Sequence, residues 1–501
     1  MKLNRMIEEL CPISVQGKTA VEITGIAADS RLIQPGNLFV AIPGEQYNGT
    51  NFISQAKDRG AVGIVLGDFT SAVNTNLAQI KVADPRRALA SLSHSFFHHP
   101  AEKMKMIGVT GTNGKTTVAI LARSVFEDAG LSTGLIGTIY YGIGERQLPS
   151  DLTTPGPPRL PELLADMKRM GCTHVIMEVS SHAIAQQRVA GIEFATAIFT
   201  NLSREHLDYH RTIEEYRAVK MSFLESLNRR RDRRENKTVI INDDDPLSQR
   251  VRGRIKIPII TYGLSPRADL SASEIQLEQS GSSFMVNFRG RSYHGRIVLP
   301  GRYNIYNALA VVALGLSEGL RMEAILTAIE KSPGISGRLE PVDVGQEFAL
   351  FVDYAHTPDG LENVLRAMRE LYHHRLIVAF GCGGDRDVAK RPLMGAVAAR
   401  WADEVIITSD NSRSEEPEKI IDDILSGFPR AFKKVRVVID RRQAIESACR
   451  AAQAGDVVLI AGKGHEQKQI FRDRIIPFND REVARDVMAK IMGVERMVGV
   501  G

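Results

Sequence analysis

Residues 108–117 read Gly108-Val109-Thr110-Gly111-Thr112-Asn113-Gly114-Lys115-Thr116-Thr117, and no other stretch limits the possible folds as much. A short apolar run at 106–109 leads into it. Behind it, residues 117–129 carry helical spacing and stop at Gly130. A glycine-rich turn between a strand and a helix lets backbone N–H groups surround a polyphosphate at the positive end of the helix. Lys115 would add a point charge at the outer phosphates, and the Thr116 hydroxyl would reach Mg²⁺. The strict form of this loop has a glycine where Val109 stands, so the match is to a variant. The expectation is ATP bound by Gly111, Thr112, Asn113, Gly114, Lys115, Thr116 and Thr117. The competing reading is a glycine-rich turn with an incidental lysine.

The same strand–loop–helix rhythm recurs along the chain. Strand candidates at 175–179, 195–200 and 239–242 are followed by polar, chemically capable residues. A second series lies at 349–352, 376–380, 405–408 and 457–461. Such alternation predicts an α/β fold with parallel sheets, whose ligands sit beyond the carboxyl ends of the strands. The loops there are 353–356, 381–386, 410–413 and 462–466, which should converge on one face. With 501 residues, the chain is too long for one ordinary core. Breaks of periodicity at 98–103 and 332–338 read as linkers and divide it into three domains, 1–99, 100–335 and 336–501.

Composition narrows the class. Sixty-four Lys and Arg against 59 Asp and Glu leave a net charge of +5, too dispersed to indicate a nucleic-acid partner. The run at 229–236 is basic but interleaves Asp and Glu, as a solvated loop does. Cys11, Cys172, Cys382 and Cys449 have no paired spacing, which argues against disulfides or a zinc site. The charged N-terminus is not a signal peptide, and no apolar run approaches a membrane span. A cytoplasmic monomer acting on small molecules, without membrane or nucleic acid, is the expectation.

Glu178 and His206 each come after an apolar strand and near the phosphate loop, where a metal-binding carboxylate and imidazole would stand. Elsewhere, the first would as readily be a salt-bridge partner and the second a core histidine. The loop, followed by Met177-Glu178-Val179-Ser180-Ser181-His182, Thr200-Asn201-Leu202-Ser203-Arg204-Glu205-His206-Leu207-Asp208, Tyr303-Asn304 with Asn307, Gly337-Arg338-Leu339-Glu340 and Asp353-Tyr354-Ala355-His356, resembles the Mur ligases. The motifs run in the family's order over about 350 residues.

That resemblance implies three domains: an N-terminal uridine-nucleotide domain, a central P-loop ATPase-like parallel-sheet domain and a C-terminal Rossmann-like domain. It implies Mg²⁺ held by Thr116, Glu178, His206 and Lys220, the last carbamylated to an anionic oxygen ligand. Lys115, Lys220, His206 and Glu178 would form the catalytic set. It also implies Asn304 and Arg338 at the adenine and phosphates of ATP, and Asp353 at the ribose. Asn307 could equally cap a helix, and His356 has no role that the sequence defines.

Substrate identity rests on three further groups. Asp29-Ser30-Arg31 resembles a uridine-binding start, with Ser30 at the uracil and Glu45, Gln46 and Tyr47 along the nucleotide. Thr153 and Thr154 match a loop for the muramoyl peptide, in which many members have Asn where Leu152 stands. Ser180, Gln186 and Arg188 match positions holding sugar and pyrophosphate. Asp410-Asn411-Ser412-Arg413 is similar to the Asp-Asn-Pro-Arg loop of the branch that adds meso-diaminopimelate, with Arg386, Gly462 and Glu466 completing the pocket. Ser412 departs from the usual proline.

The chemistry of that amino acid is legible in the residues. Its distal end carries a carboxylate and an ammonium, which Arg413 and Glu466 would match. The resemblance therefore implies ATP-dependent amide formation between UDP-N-acetylmuramoyl-L-Ala-D-Glu and meso-diaminopimelate, in peptidoglycan synthesis. A lysine-adding member, a folylpolyglutamate synthetase-like ligase, and an ATP-binding interaction protein that has lost catalysis remain the alternatives.

Overall fold

The computed structural model describes residues 1–44, 47–67, 77–229 and 237–493. Glu45, Gln46, residues 230–236 of the basic run and the tail from 494 lie outside the described residues. Among the described residues three large sheets follow one another along the chain, and Lys468–Ile470 pairs with Ile475–Pro477 in a small fourth one. The first has five strands in the spatial order Ser14–Gln16, Ala78–Lys81, Gly63–Leu66, Asn37–Val40, Gly25–Ala27, parallel except for the first.

The central sheet has eleven strands. Six of them, Thr133–Ile136, His174–Glu178, Lys105–Thr110, Thr196–Phe199, Thr238–Asn242 and Ile259–Gly263, lie parallel in that order. They are almost wholly buried, as strands covered by helices on both faces must be. The sheet is parallel-rich, as the alternation predicts, with antiparallel strands added at both edges. Tyr140–Ile143 and Arg146–Pro149 extend one edge antiparallel. On the other edge, Leu270–Glu278, Gly281–Phe288 and Arg291–Ile297 form a meander. The turn at Arg289-Gly290 has φ of 50° and 74°, the left-handed pair that suits a two-residue hairpin.

The third sheet orders Glu340–Pro341, Ala349–Asp353, Val457–Ala461, Leu376–Phe380, Glu404–Ile407, Val435–Val437, with all but the first parallel. Helices close its faces. Pro358–Leu371 begins with Thr357 accepting the Gly360 N–H, a cap worth about 1 kcal/mol. In the central unit, Arg302–Ser317 is buried on nearly every side and packs on Lys115–Asp128, with Gly315 leaving room for Ile325. Among the described residues no helix is long and apolar enough to cross a membrane.

Candidate functional site

The phosphate loop joins strand Lys105–Thr110 to helix Lys115–Asp128. Gly114 caps the helix at φ 85°, and a Cβ there would lie 2.4 Å from Asn307 Oδ1. Gly111 is equally constrained, since its Cβ would fall 1.9 Å from Thr200 Oγ1. The Asn201 side chain clamps Asn113 from both ends, accepting from its N–H at 2.9 Å and donating to its carbonyl at 3.1 Å. Lys115 Nζ folds over the loop to the carbonyls of Gly111 and Thr112, at 2.9 and 2.7 Å. Burial lowers its pKa, against the pull of Glu205 and Glu178.

Beside the loop, the buried Glu178 carboxylate accepts from the hydroxyls of Thr116 and Thr138 at 2.9 and 3.0 Å, and from the Thr138 N–H at 2.7 Å. A carboxylate and a threonine oxygen at the mouth of a phosphate loop are the hard oxygen donors that Mg²⁺ takes, so these residues fit that ion.

Lys220, on helix Ile213–Ser226, is 1 % exposed. Its Nζ donates to Gly111 O at 2.8 Å and stands 4.7 Å from the Tyr216 ring centre. Burial first, then the Lys115 charge, pushes its pKa well down. His206 adopts φ 56° and packs edge-on against His182; burial lowers its pKa to about 4, with Glu205 opposing.

Glu205 also belongs to the site, although its sequence motif alone assigns it no role. Its carboxylate lies 3.5 Å from His206 Nε2 and 3.6 Å from His356 Nε2, bridging the central and third units. Burial opposes its charge, but His206, His356 and Lys115 outweigh that and hold the carboxyl below the usual range. Its place in the Arg204-Glu205-His206 run was the available signal.

The third unit closes over this face. Arg338 donates to Thr116 Oγ1 at 3.2 Å and stacks over Tyr354. Asp353 accepts from the N–H groups of Leu339 and Ala355, and burial raises its pKa. Asp359, absent from the sequence-based set, accepts from Asn113 Nδ2 at 2.5 Å and Ser203 Oγ at 3.1 Å. Asn304 donates to Pro300 O and accepts from Asn307. Asn307 caps no helix: it sits inside Arg302–Ser317, with its side-chain amide close to Gly114.

A cleft of about 890 Å³ runs between these elements. Lys115, Thr116, Glu178, His206, Lys220 and Arg338 line it, as do Thr153, Thr154, Ser180, Arg188 and the exposed Leu152. Gln186 is outside the lining and accepts from Arg188 Nη2 at 2.7 Å. In the first unit, Ser30 is buried and donates to Gln55, while Tyr47 is exposed beside Phe52. Neither lines this cleft.

Of the expected amino-acid pocket, Arg386 alone reaches the cleft. The other residues converge behind it at the strand ends of the third sheet. Gly462, at φ 114°, leaves room for Asp410, whose Oδ2 would lie 2.9 Å from an added Cβ. Asn411 Nδ2 donates to Glu466 Oε2 at 2.7 Å. Arg413, at φ 52°, donates to the carbonyls of Gly384 and Asn411. Burial lowers its pKa, and neighbouring Arg386 adds to the effect. Among the described residues, neither guanidinium pairs with a carboxylate.

A phosphate loop facing an acid–threonine pair, with an arginine brought in from a third α/β unit, defines an enzyme built to use a nucleoside triphosphate. Residues 22–97 match the family described as Mur ligase family, catalytic domain; 109–315 match the Mur ligase middle domain, and 337–464 the Mur ligase glutamate ligase domain. The chain belongs to the Mur ligase family, and with it to the ATP-dependent amide-bond-forming ligases.

It is 41% identical over 97% of its length to the UDP-N-acetylmuramoyl-L-alanyl-D-glutamate--2,6-diaminopimelate ligase of Syntrophomonas wolfei, covering 99% of that protein. The ligase of the same name from Listeria monocytogenes is 42% identical over 99% of this chain and 100% of its own. A solved structure of a ligase with that name superposes with a TM-score of 0.67 at 29% identity, covering 98% of this chain and 99% of that one. MurF from Thermotoga maritima, in complex with ADP, shares the fold at 17% identity and a TM-score of 0.61, covering 93% and 96%.

Proposed function

We propose that this chain joins meso-diaminopimelate to the D-Glu γ-carboxylate of UDP-N-acetylmuramoyl-L-Ala-D-Glu, using ATP, in the cytoplasm and as a monomer. Residues 1–99 hold the uridine end through Ser30 and the 45–47 segment. Residues 100–335 hold ATP and the muramoyl peptide, and 336–501 the incoming amino acid. Thr153, Thr154, Ser180 and Arg188 face the UDP-muramoyl-peptide, the acyl donor, with Gln186 orienting Arg188.

In the first step a γ-carboxylate oxygen attacks the γ-phosphorus of ATP, and ADP leaves. In the second, the neutral amine attacks the acyl phosphate carbon, loses a proton, and phosphate departs as the amide forms. Lys115 and the loop N–H groups stabilise the charge passing between phosphate oxygens. Mg²⁺, when bound, neutralises phosphate charge. Thr116, Glu178, His206 and Lys220 would hold it, Lys220 as its carbamate, directly or through water. A buried lysine beside a second lysine is favoured as the free amine, the form that captures CO₂. Asn304, Arg338 and Asp353 belong to the nucleotide end of the cleft.

The observation that carries the choice of amine is the unpaired state of Arg386 and Arg413 close to a fixed Glu466 carboxylate. A zwitterion with a distal carboxylate answers both charges. Lysine has no such carboxylate and would leave the guanidiniums unmatched. The test is an amine panel with ATP, Mg²⁺ and the UDP-dipeptide, reading products by mass. Meso-diaminopimelate should be consumed in strong preference to lysine and ornithine. Equal or better use of lysine would overturn the assignment.

A further inference from the structure

Two loops of the proposed amino-acid pocket, 410–413 and 462–466, leave strands that are not neighbours: Leu376–Phe380 lies between them. Something must span that gap if their side chains are to hold one spacing. Lys463 does so. Its side chain is fully buried, yet Nζ donates to Asn411 Oδ1 at 3.0 Å and to Glu466 Oε2 at 2.7 Å, and stands 4.0 Å from Asp410 Oδ1. Every group it meets belongs to the pocket.

The surroundings explain why a cation is needed there. Arg441 and Asp480, both fully buried, pair through two bonds of 2.7 Å, and Arg441 also donates to the carbonyls of Ser409 and Ala461. Lys463 and Arg441 therefore face three carboxylates, those of Asp410, Glu466 and Asp480. Arg413 adds its positive charge to the field of Asp410 and Glu466, so both signs are held within one pocket. Without Lys463 the buried Asp410 and the part-exposed Glu466 would each lose the cation within 4.0 Å, and Glu466 would be free to swing away. Asn411 Oδ1 also accepts from the Ile470 N–H, and Ile470 O accepts from the Arg413 N–H. The lysine thus acts on a framework that includes the Arg413 backbone.

We propose that Lys463 is a specificity-determining positioning residue, which holds Glu466 and Asn411 at a fixed separation from Arg413 so that distal ammonium and carboxylate are read together. This rests on the amine assignment of the preceding section. Nothing is transferred to or from Lys463.

The experiment is a double-mutant cycle in the full-length enzyme, using Lys463→Met, Glu466→Gln and the combination, with steady-state constants for all three substrates. Lys463→Met should raise KM for meso-diaminopimelate about tenfold or more and erode the preference over lysine. KM for ATP and for the UDP-dipeptide should stay within about twofold, because the effect is confined to the amine pocket. In the Glu466→Gln background the same substitution should cost about threefold or less.

An unchanged KM for meso-diaminopimelate, an equal rise in all three constants, or the full cost persisting without Glu466 would each overturn the proposal. If Lys463→Met does not fold, the comparison of Glu466→Gln with the double variant decides alone, since removing one cation and one anion together leaves the net charge of the pocket unchanged. A wild-type enzyme that rejects meso-diaminopimelate would instead sink the functional assignment, and the cycle would then be read on the amine it accepts.

Discussion

Thr116 and Glu178 stand 2.9 Å apart, hydroxyl to carboxylate, although 62 residues separate them in the chain. Strands Lys105–Thr110 and His174–Glu178 pair in parallel with Val109 opposite Glu178. The helix that begins at Lys115 therefore starts beside the acid. Sheet register, rather than any local motif, sets this distance.

Lys115→Ala should lose about 10²–10³-fold or more in kcat/KM, by analogy with removal of one preorganised donor at a developing charge. The fold should survive, because Nζ bonds only loop carbonyls. Steady-state rates and a thermal melt check both halves, and substantial turnover by a folded variant would contradict the role.

Lys220→Ala should be nearly inactive, with partial recovery in high concentrations of formate or acetate. Intact mass spectrometry of the wild type under CO₂-replete, mildly alkaline conditions should show one added CO₂. A fully active enzyme carrying unmodified lysine would remove the carbamate from the account.

Arg413→Ala should cost at least a few kcal/mol of transition-state binding for meso-diaminopimelate, about two orders of magnitude in kcat/KM. Slow turnover of lysine should fall far less. Ser412→Pro should be tolerated, since the Ser412 N–H has no backbone acceptor among the described residues. An unchanged preference in Arg413→Ala would show that the loop does not read the amine.

Stability should fall on acidification partly through His94, a buried imidazole with an unpartnered Nε2, whose pKa burial depresses to about 4. The unfolded imidazole takes up its proton near pH 6.5, whereas the folded one resists until about pH 4, so protonation favours unfolding across that window. This contributes a loss of about 2 kcal/mol between pH 7.5 and 5. Replacing His94 by Met should flatten the dependence of the melting temperature on pH over that range. An identical slope in the variant would contradict it.

The phosphate loop was readable because its function is written in adjacent residues: glycines that permit the backbone path, then Lys115 and Thr116. The alternation of apolar runs likewise announced the parallel cores. The antiparallel edges escaped, since the hairpin signal at Arg289-Gly290 is two residues long and sits among polar, half-exposed strands. Lys220 became a candidate through resemblance alone: a lysine on a helix carries no local sign that it will be buried against Gly111. Asp359 and Lys463 take their meaning from partners in other elements, which a linear reading cannot supply. For Asn307 the sequence left two readings open, and its place in the interior of Arg302–Ser317 removes the helix-cap one.

On the proposed mechanism ATP activates the γ-carboxylate as an acyl phosphate before meso-diaminopimelate attacks. This activation is tested most directly by giving the enzyme UDP-dipeptide labelled with ¹⁸O in that carboxylate, together with ATP, Mg²⁺ and meso-diaminopimelate. Each phosphate released should carry one ¹⁸O, and the tripeptide product should be seen by mass. Amide product accompanied by unlabelled phosphate would contradict it.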